Sequence, residues 1–433
     1  MKGNWTRASW VTIAALLLIS SSNINWGKDH WRTVLQADAK GYYAYLPALF
    51  IYDDPNLGFF DRIERETYYD ANTFYDYRFG FEGHIVDKYF MGTAIAQLPF
   101  FLGTHALVSA TGGMADGYSK PYVVAVNLAA ISWVLVGLFC MAKLLRTYGI
   151  DDRWIAFLML AYTFGTNLFY YTVVAPGMSH AYSFGLCSAF LLLGRALPGR
   201  ASTSRVILLG ALLGLIVLTR PVNGLLLFAL PLLWDRMPTR SEAWTLIREH
   251  AIAILASMVL AIAITSLQLL YYHSATGSIG VYAYGEEGFN WSDPHMLDIL
   301  FSYRKGLFLY MPILLLSLPG LYYLRQRSPV AAWWWIGFFL LLTYVLSAWW
   351  NWWYGGSFGA RVYVEYLGLF MLLAAFALQH LRAQWRKGLM SLMVLAVVLC
   401  QVQTYQMRYY QIHWEDMDRA RYWEVFLRLD KLP

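Results

Sequence analysis

Apolar residues fall in runs of membrane length, separated by short polar connections, along nearly the whole chain. A bilayer core is crossed by roughly 20 consecutive apolar residues in a helix, the form that satisfies its own backbone without water. That pattern predicts eleven spans, at residues 8–25, 121–143, 154–173, 179–197, 206–219, 222–235, 248–271, 307–324, 330–349, 362–381 and 388–406. The expected fold is an all-α polytopic membrane protein of about 11 transmembrane helices. The first run, preceded by Lys2 and Arg7, also has the form of a signal peptide. It is expected to be kept as the first span.

Basic residues recur in every second connection. Lys143, Arg146 and Arg153 share one; Arg195, Arg200 and Arg205 another; then come Arg236, Arg240 and Arg248, Arg325 and Arg327, and Arg382, Arg386 and Lys387. Cytoplasmic loops carry such an excess of Lys and Arg. This places the N-terminus inside and the connection 26–120 outside, with a short amphipathic tail at 406–433 also outside and lying as a helix on the surface. The membrane domain then covers 1–405, and 26–120 forms a long first extracytoplasmic loop carrying Asp53, Asp54, Asp61, Asp70 and Asp76. Tyr89 to Ala110 is apolar enough to cross, but a crossing would turn Lys143–Arg153 outward, and Pro99 and Gly103 interrupt it. A re-entrant or interfacial helix pair is expected there. Arg220 and Pro221 separate two short runs, so Arg220 should be partly buried and need a partner.

Composition agrees with this pattern. Of 433 residues 58% are hydrophobic and 14% charged, against about 25% charged in soluble domains. The net charge of +6 is spread over alternate connections, and no nucleic-acid partner is expected. Cys140, Cys187 and Cys400 all lie in apolar runs and read as core residues, not as a disulfide or metal framework. Phosphate-loop, dinucleotide-binding and zinc-protease motifs are missing.

The unusual polar residues collect on the outer face: Asp38, His84, Lys88, His180, Arg220, Asn223, Glu286, Glu287, Arg304, Lys305 and Arg361. Each singly has an ordinary explanation, such as an interfacial helix start for His180 or a snorkelling Lys88. Their sharing one face points to an anionic amphiphile, a lipid phosphate with a polar head. Arg361 follows Gly355-Gly356-Ser357-Phe358-Gly359, whose backbone N–H groups are expected to help cradle phosphate oxygens. Trp349, Trp350, Trp352 and Trp353 fit the aromatic belt, with a minority free to stack on a sugar. An acid facing a lipid phosphate among cations suits group transfer, in which the acid takes a proton from an acceptor hydroxyl.

These residues resemble the GT-C superfamily of integral-membrane glycosyltransferases, closest to bacterial members of the protein mannosyltransferase and aminoarabinose transferase groups. The resemblance rests on Asp38 with Gly41-Tyr42-Tyr43, Gly83-His84 through Asp87-Lys88-Tyr89 with Gly92, and Met178-Ser179-His180. It continues in Arg220-Pro221-Val222-Asn223, Gly288-Phe289 through Tyr303-Arg304-Lys305-Gly306, and Trp353-Tyr354 through Arg361. It covers residues 1 to about 380. It implies an inverting transfer from a polyprenyl-phosphate sugar at the outer, periplasmic face of a bacterial inner membrane. Asp38 would be the base and His84 its rival. Lys88, Arg220, Arg304, Lys305 and Arg361 would hold the donor phosphate. Tyr42, Tyr43, His180, Asn223, Glu287, Trp353 and Tyr354 would line the pocket. The acceptor would be a glycan, lipid or protein. Many members carry paired acids at the first-loop site; here Ala39 follows Asp38, so a divalent metal is in doubt and no cofactor is certain. The competing readings are a transporter or flippase of lipid-linked glycans, expected to show paired repeats and mid-membrane charges, and a non-catalytic membrane scaffold.

Overall fold

The computed structural model describes residues 4–68 and 75–430, which leaves Lys2 and Asp70 outside the described residues. The molecule is an all-α polytopic membrane protein. In order, α1 spans Trp5–Asn25, α2 Asp38–Pro47, α3 Gly92–Ala110, α4 Lys120–Thr147, α5 Asp152–Phe164 and α6 His180–Arg195. The longer later helices are Thr203–Thr219, Ala251–Thr276, Pro329–Ser347, Leu367–His380 and Ala383–Arg408. Among the described residues seven helical segments are long and apolar enough to cross a membrane, and two further apolar ones, Thr203–Thr219 and Pro221–Leu233, are shorter.

Of the remaining expected spans, 179–197 is the continuous helix α6, while 154–173 breaks after Phe164 and 307–324 breaks at prolines. Residues 307–324 divide into Leu307–Tyr310, a 3₁₀ turn Pro312–Ser317 and Gly320–Arg327, because Pro312 and Pro319 cannot continue a helix by donating an N–H. Pro221–Leu233 is a 13-residue 3₁₀ stretch. At about 2 Å per residue it reaches roughly 26 Å, farther than the same residues would as an α-helix.

The helices stack with a clear polarity. The connections rich in Arg meet at one end. There the Thr6 backbone N–H donates to Asp152 (3.1 Å) and Arg146 to the same carboxylate (2.9 Å). Arg195 and Arg327 both grip Asp235, at 2.6 and 2.8 Å. Arg386 lies 4.8 Å from the Trp154 ring centre. At the opposite end Trp26 donates to Asn127 (2.9 Å) and Asn25 to the Val173 carbonyl (2.5 Å). The segment Arg361–His380 is the central element, with 94% of its apolar window buried, whereas the window of Ala251–Thr276 is only 11% buried and faces outward.

Residues 89–110, expected as a helix pair, contain the single continuous helix α3. Pro99 does not break it: the Trp133 indole donates to the Ala96 carbonyl beside the interruption (3.0 Å), the kind of side-chain rescue that lets proline sit in a membrane helix. Its side-chain hydrogen bonds with α4 involve Trp133 and Tyr122, the latter bonding His105 at 2.6 Å. At its start, a Cβ on Gly92 would lie 2.3 Å from the Thr219 nitrogen. Only glycine allows that approach.

Ahead of α3, the first loop also holds an antiparallel hairpin, β1 Arg78–Phe81 and β2 His84–Asp87. Two short strands are the only sheet among the described residues. The tail differs from an exposed amphipathic helix. Its helix is just Arg419–Val425, and Ile412, Met417, Tyr422 and Val425 pack with Tyr310, Phe358, Cys400 and Met407 into a separate small core. These apolar residues are buried against the bundle rather than laid on a surface.

Candidate functional site

The site is built where α2 meets the head of the central segment. The chain enters α2 through Ala37, whose φ of +46° is a left-handed value rarely adopted by alanine. Such strain costs on the order of 1–3 kcal/mol and persists only where its surroundings enforce it. The turn presents Asp38 as the first residue of α2. One Asp38 oxygen accepts from Arg361 at 2.8 Å, and the other accepts from the Tyr89 hydroxyl at 2.9 Å. Tyr89 is joined in turn to the Tyr75 hydroxyl at 2.7 Å. Burial pushes the Asp38 carboxyl up, but the Arg361 charge, the bonds from Tyr89 and Arg361, and the charge of Arg220 outweigh it. The net result holds it below the usual carboxylate range, so Asp38 is ionised at neutral pH.

A second acid–base pair lies one helical turn along. Glu365 is fully buried; its Oε1 is 3.0 Å from His180 Nδ1 and 3.6 Å from Arg220. His180 opens α6 and packs its ring 4.7 Å from that of Tyr171. Arg220 therefore has the partner its position demanded. Tyr42 is within electrostatic reach of Arg220, Asp38 and Arg361, and Tyr354 of Arg220 and Arg361. The Tyr42 ring lies 4.9 Å from that of Tyr89. Among the described residues, Arg361 Nε and Glu365 Oε2 are buried polar atoms without a hydrogen-bond partner.

The other nominated residues are held elsewhere. Lys88 bonds Glu287 at 2.5 Å and lies 5.4 Å from the Tyr284 ring centre. Arg304 bonds Asp416 (3.0 Å) and the Glu415 carbonyl (3.1 Å) while stacking on Trp353 at 3.5 Å. Lys305 is buried and donates to the carbonyls of Ser357 (2.5 Å) and Trp414 (2.6 Å). Burial brings its amine down to about 7, helped by Arg361 and Arg304 and opposed by Glu415 and Asp416. Asn223 accepts from Tyr366 (3.0 Å) in the core, and the Tyr43 hydroxyl donates to the Gly117 carbonyl among Phe101 and Tyr118. His84 is exposed on β2, and no hydrogen bond joins it to Asp38 among the described residues.

The glycine loop turns most of its amides onto the protein rather than outward. Tyr354, Gly355 and Gly359 all have positive φ, so the chain turns sharply. Three of its five amides are spent internally: Gly355 donates to Asn351, Ser357 to the Trp414 carbonyl and Phe358 to the Tyr171 hydroxyl. The loop fixes Arg361 instead. A divalent ion fits these residues poorly. Both Asp38 oxygens are taken by donors, and among the described residues no group of three or more His, Cys, Asp and Glu side chains is placed to hold a metal.

Glu365, Tyr75 and Tyr171 carry no motif in the sequence, and Tyr89 stands only as a motif member with no role assigned. Glu365 had a usable signal: a carboxylate inside a run of membrane length, one turn after an arginine, is expensive unless paired or functional.

No protein-family profile matches the chain, and no curated protein matches it. Two similar solved structures are of an oligosaccharyltransferase from the archaeon Archaeoglobus fulgidus. One, AglB in complex with an inhibitory peptide and a dolichol-phosphate, has a TM-score of 0.48 at 11% identity over 99% of this chain. The other, in the apo form, has a TM-score of 0.48 at 12% identity over 100% of this chain. The chain spans about 60% of the length of each.

Proposed function

We propose that this protein is a glycosyltransferase of the GT-C kind. It would move a sugar from a polyprenyl-phosphate-linked donor to a hydroxyl of a glycan, lipid or protein acceptor, with inversion, at the periplasmic face of a bacterial inner membrane. The observation that carries this reading is Asp38: an ionised carboxylate at the start of α2, 2.8 Å from an arginine that also has a buried, unpartnered N–H. A purely structural pair would not need that spare donor.

In the proposed reaction the acceptor oxygen attacks the anomeric carbon. Its proton passes to Asp38, and the bond from that carbon to the phosphate oxygen breaks with its electrons going to the phosphate. Arg361 and Arg220 stabilise the charge that grows there. They suit this role better than Lys88, Arg304 and Lys305 because both act on Asp38, Arg361 by a direct bond and Arg220 through its charge, whereas the other three are engaged with Glu287, Asp416 and the Ser357 and Trp414 carbonyls. Tyr42 and Tyr354 line the sugar side.

The test is direct. Purified protein in lipid nanodiscs, given a radiolabelled polyprenyl-phosphate sugar and a mixed acceptor fraction, should release polyprenyl phosphate only when acceptor is present. Movement of the intact lipid across proteoliposomes without sugar transfer would replace this reading with a flippase.

A further inference from the structure

Asp38 and Arg361 make one ion pair, and Glu365 and Arg220 make another beside it. Counted together, these four groups sum to zero charge when His180 is neutral. Glu365 is completely buried and is the sole carboxylate paired with Arg220 among the described residues. Its hydrogen bond goes to His180 and its ion pair to Arg220. Its second oxygen bonds nothing among the described residues. A carboxylate placed only to hold Arg220 rigid would use both oxygens in a fork, the geometry that Arg–carboxylate pairs favour.

The proposed reaction makes a charge problem that this arrangement answers. The donor is a phosphodiester with one negative charge. The product is a phosphomonoester that takes on up to one more. Two uncompensated arginines would therefore hold product more tightly than donor, and the cycle would stall at release. Resting on the reading above, we infer that Glu365 is a built-in counter-ion of the phosphate site: it balances Arg220 and so lets the lipid phosphate product leave.

This fixes a sign that a positioning or scaffolding role would not. Removing the negative charge while keeping the shape, by Glu365→Gln, should tighten binding of sugar-free polyprenyl phosphate. With charges about 6–8 Å apart and an effective dielectric between about 20 and 40, the gain is about five- to hundredfold. Product inhibition should strengthen by the same factor, and kcat and KM should fall together, because product release then limits turnover. Arg220→Gln should do the reverse and weaken polyprenyl phosphate binding. The double variant Glu365→Gln/Arg220→Gln should bind it more tightly than Arg220→Gln alone.

The experiment is titration of a short-chain polyprenyl phosphate into each detergent-purified variant, followed by steady-state inhibition with the same lipid. Weaker or unchanged binding in Glu365→Gln overturns the counter-ion assignment. If that single variant does not fold, the comparison of the double variant with Arg220→Gln decides in its place, and equal affinities overturn it. Arg361→Gln is run alongside. If it leaves lipid phosphate binding intact, the phosphate site itself is misplaced and the proposed function fails. If it abolishes binding while Glu365→Gln fails to tighten it, only the counter-ion inference falls.

Discussion

Replacing Asp38 by Asn should move two measurements in opposite directions. The side chains of Asp38 and Arg361 are 19% and 12% exposed, so their contact is poorly screened by water. With charge centres about 4 Å apart and an effective dielectric near 20, the attraction is about 4 kcal/mol, most of it offset by desolvation. Asn keeps an oxygen for Arg361, and its amide can donate to Tyr89, whose own proton can turn to Tyr75. The loss of folding stability should therefore be about 2 kcal/mol, below the 3–5 kcal/mol typical of a buried charge left fully stranded. Transfer is a different matter. An amide cannot accept the acceptor's proton, and general-base help is worth about 10²–10⁴-fold, so turnover should fall by that factor. Meanwhile Arg361 loses its competing anion. A charge-assisted bond contributes about 1.5–3 kcal/mol, so polyprenyl phosphate should bind about tenfold or more tightly. The assay pairs single-turnover transfer from a labelled donor with equilibrium binding of the sugar-free lipid phosphate. A misfolded variant loses both. Wild-type turnover would refute Asp38 as base, and weakened lipid phosphate binding would refute Arg361 as the group the two anions share.

Arg361→Lys should recover part of what Arg361→Ala loses: roughly tenfold loss against roughly hundredfold in donor turnover at low donor, because lysine keeps the charge but not the fork. Equal losses would mean charge is irrelevant there. His84→Ala should leave transfer within about twofold, as expected for an exposed substitution, and a loss beyond tenfold would bring the hairpin into the chemistry. Lys305→Met tests the tail. The unfolded amine keeps its proton to about pH 10.4, whereas the folded one releases it near 7. Between those values the unfolded chain binds more protons, so wild-type stability should rise with pH relative to the variant. Thermal midpoints that stay parallel across that window would show that the amine is not held as described.

What the sequence made legible was sidedness. Alternate basic connections needed only the positive-inside rule, and the structure gathers Arg146, Arg195, Arg327 and Arg386 at one end of the bundle with Asp38 and Arg361 at the other. Pairing was not legible. Lys88, Arg304 and Lys305 belong to the same polar face as Arg361, but charge type says nothing about which carboxylate or carbonyl a cation will meet once loops fold over it. The tail supplies those partners for Arg304 and Lys305, through Trp414, Glu415 and Asp416. The glycine loop misled for a related reason: glycine permits a turn, and only the fold decides whether the amides there face a ligand or the protein.

Asp38 and Arg361 lie 323 positions apart in the chain. At a synthesis rate of about 5–20 residues per second, roughly 16 to 65 seconds separate the making of the base from the making of its counter-ion. Through that interval Asp38 has the Tyr89 hydroxyl but not its arginine, and the phosphate site lacks the cation the two anions would share. Half-made chains should therefore neither capture nor consume the lipid carrier, and competence should appear abruptly once the central segment inserts. A cell short of carrier lipid would lose none of it to unfinished copies.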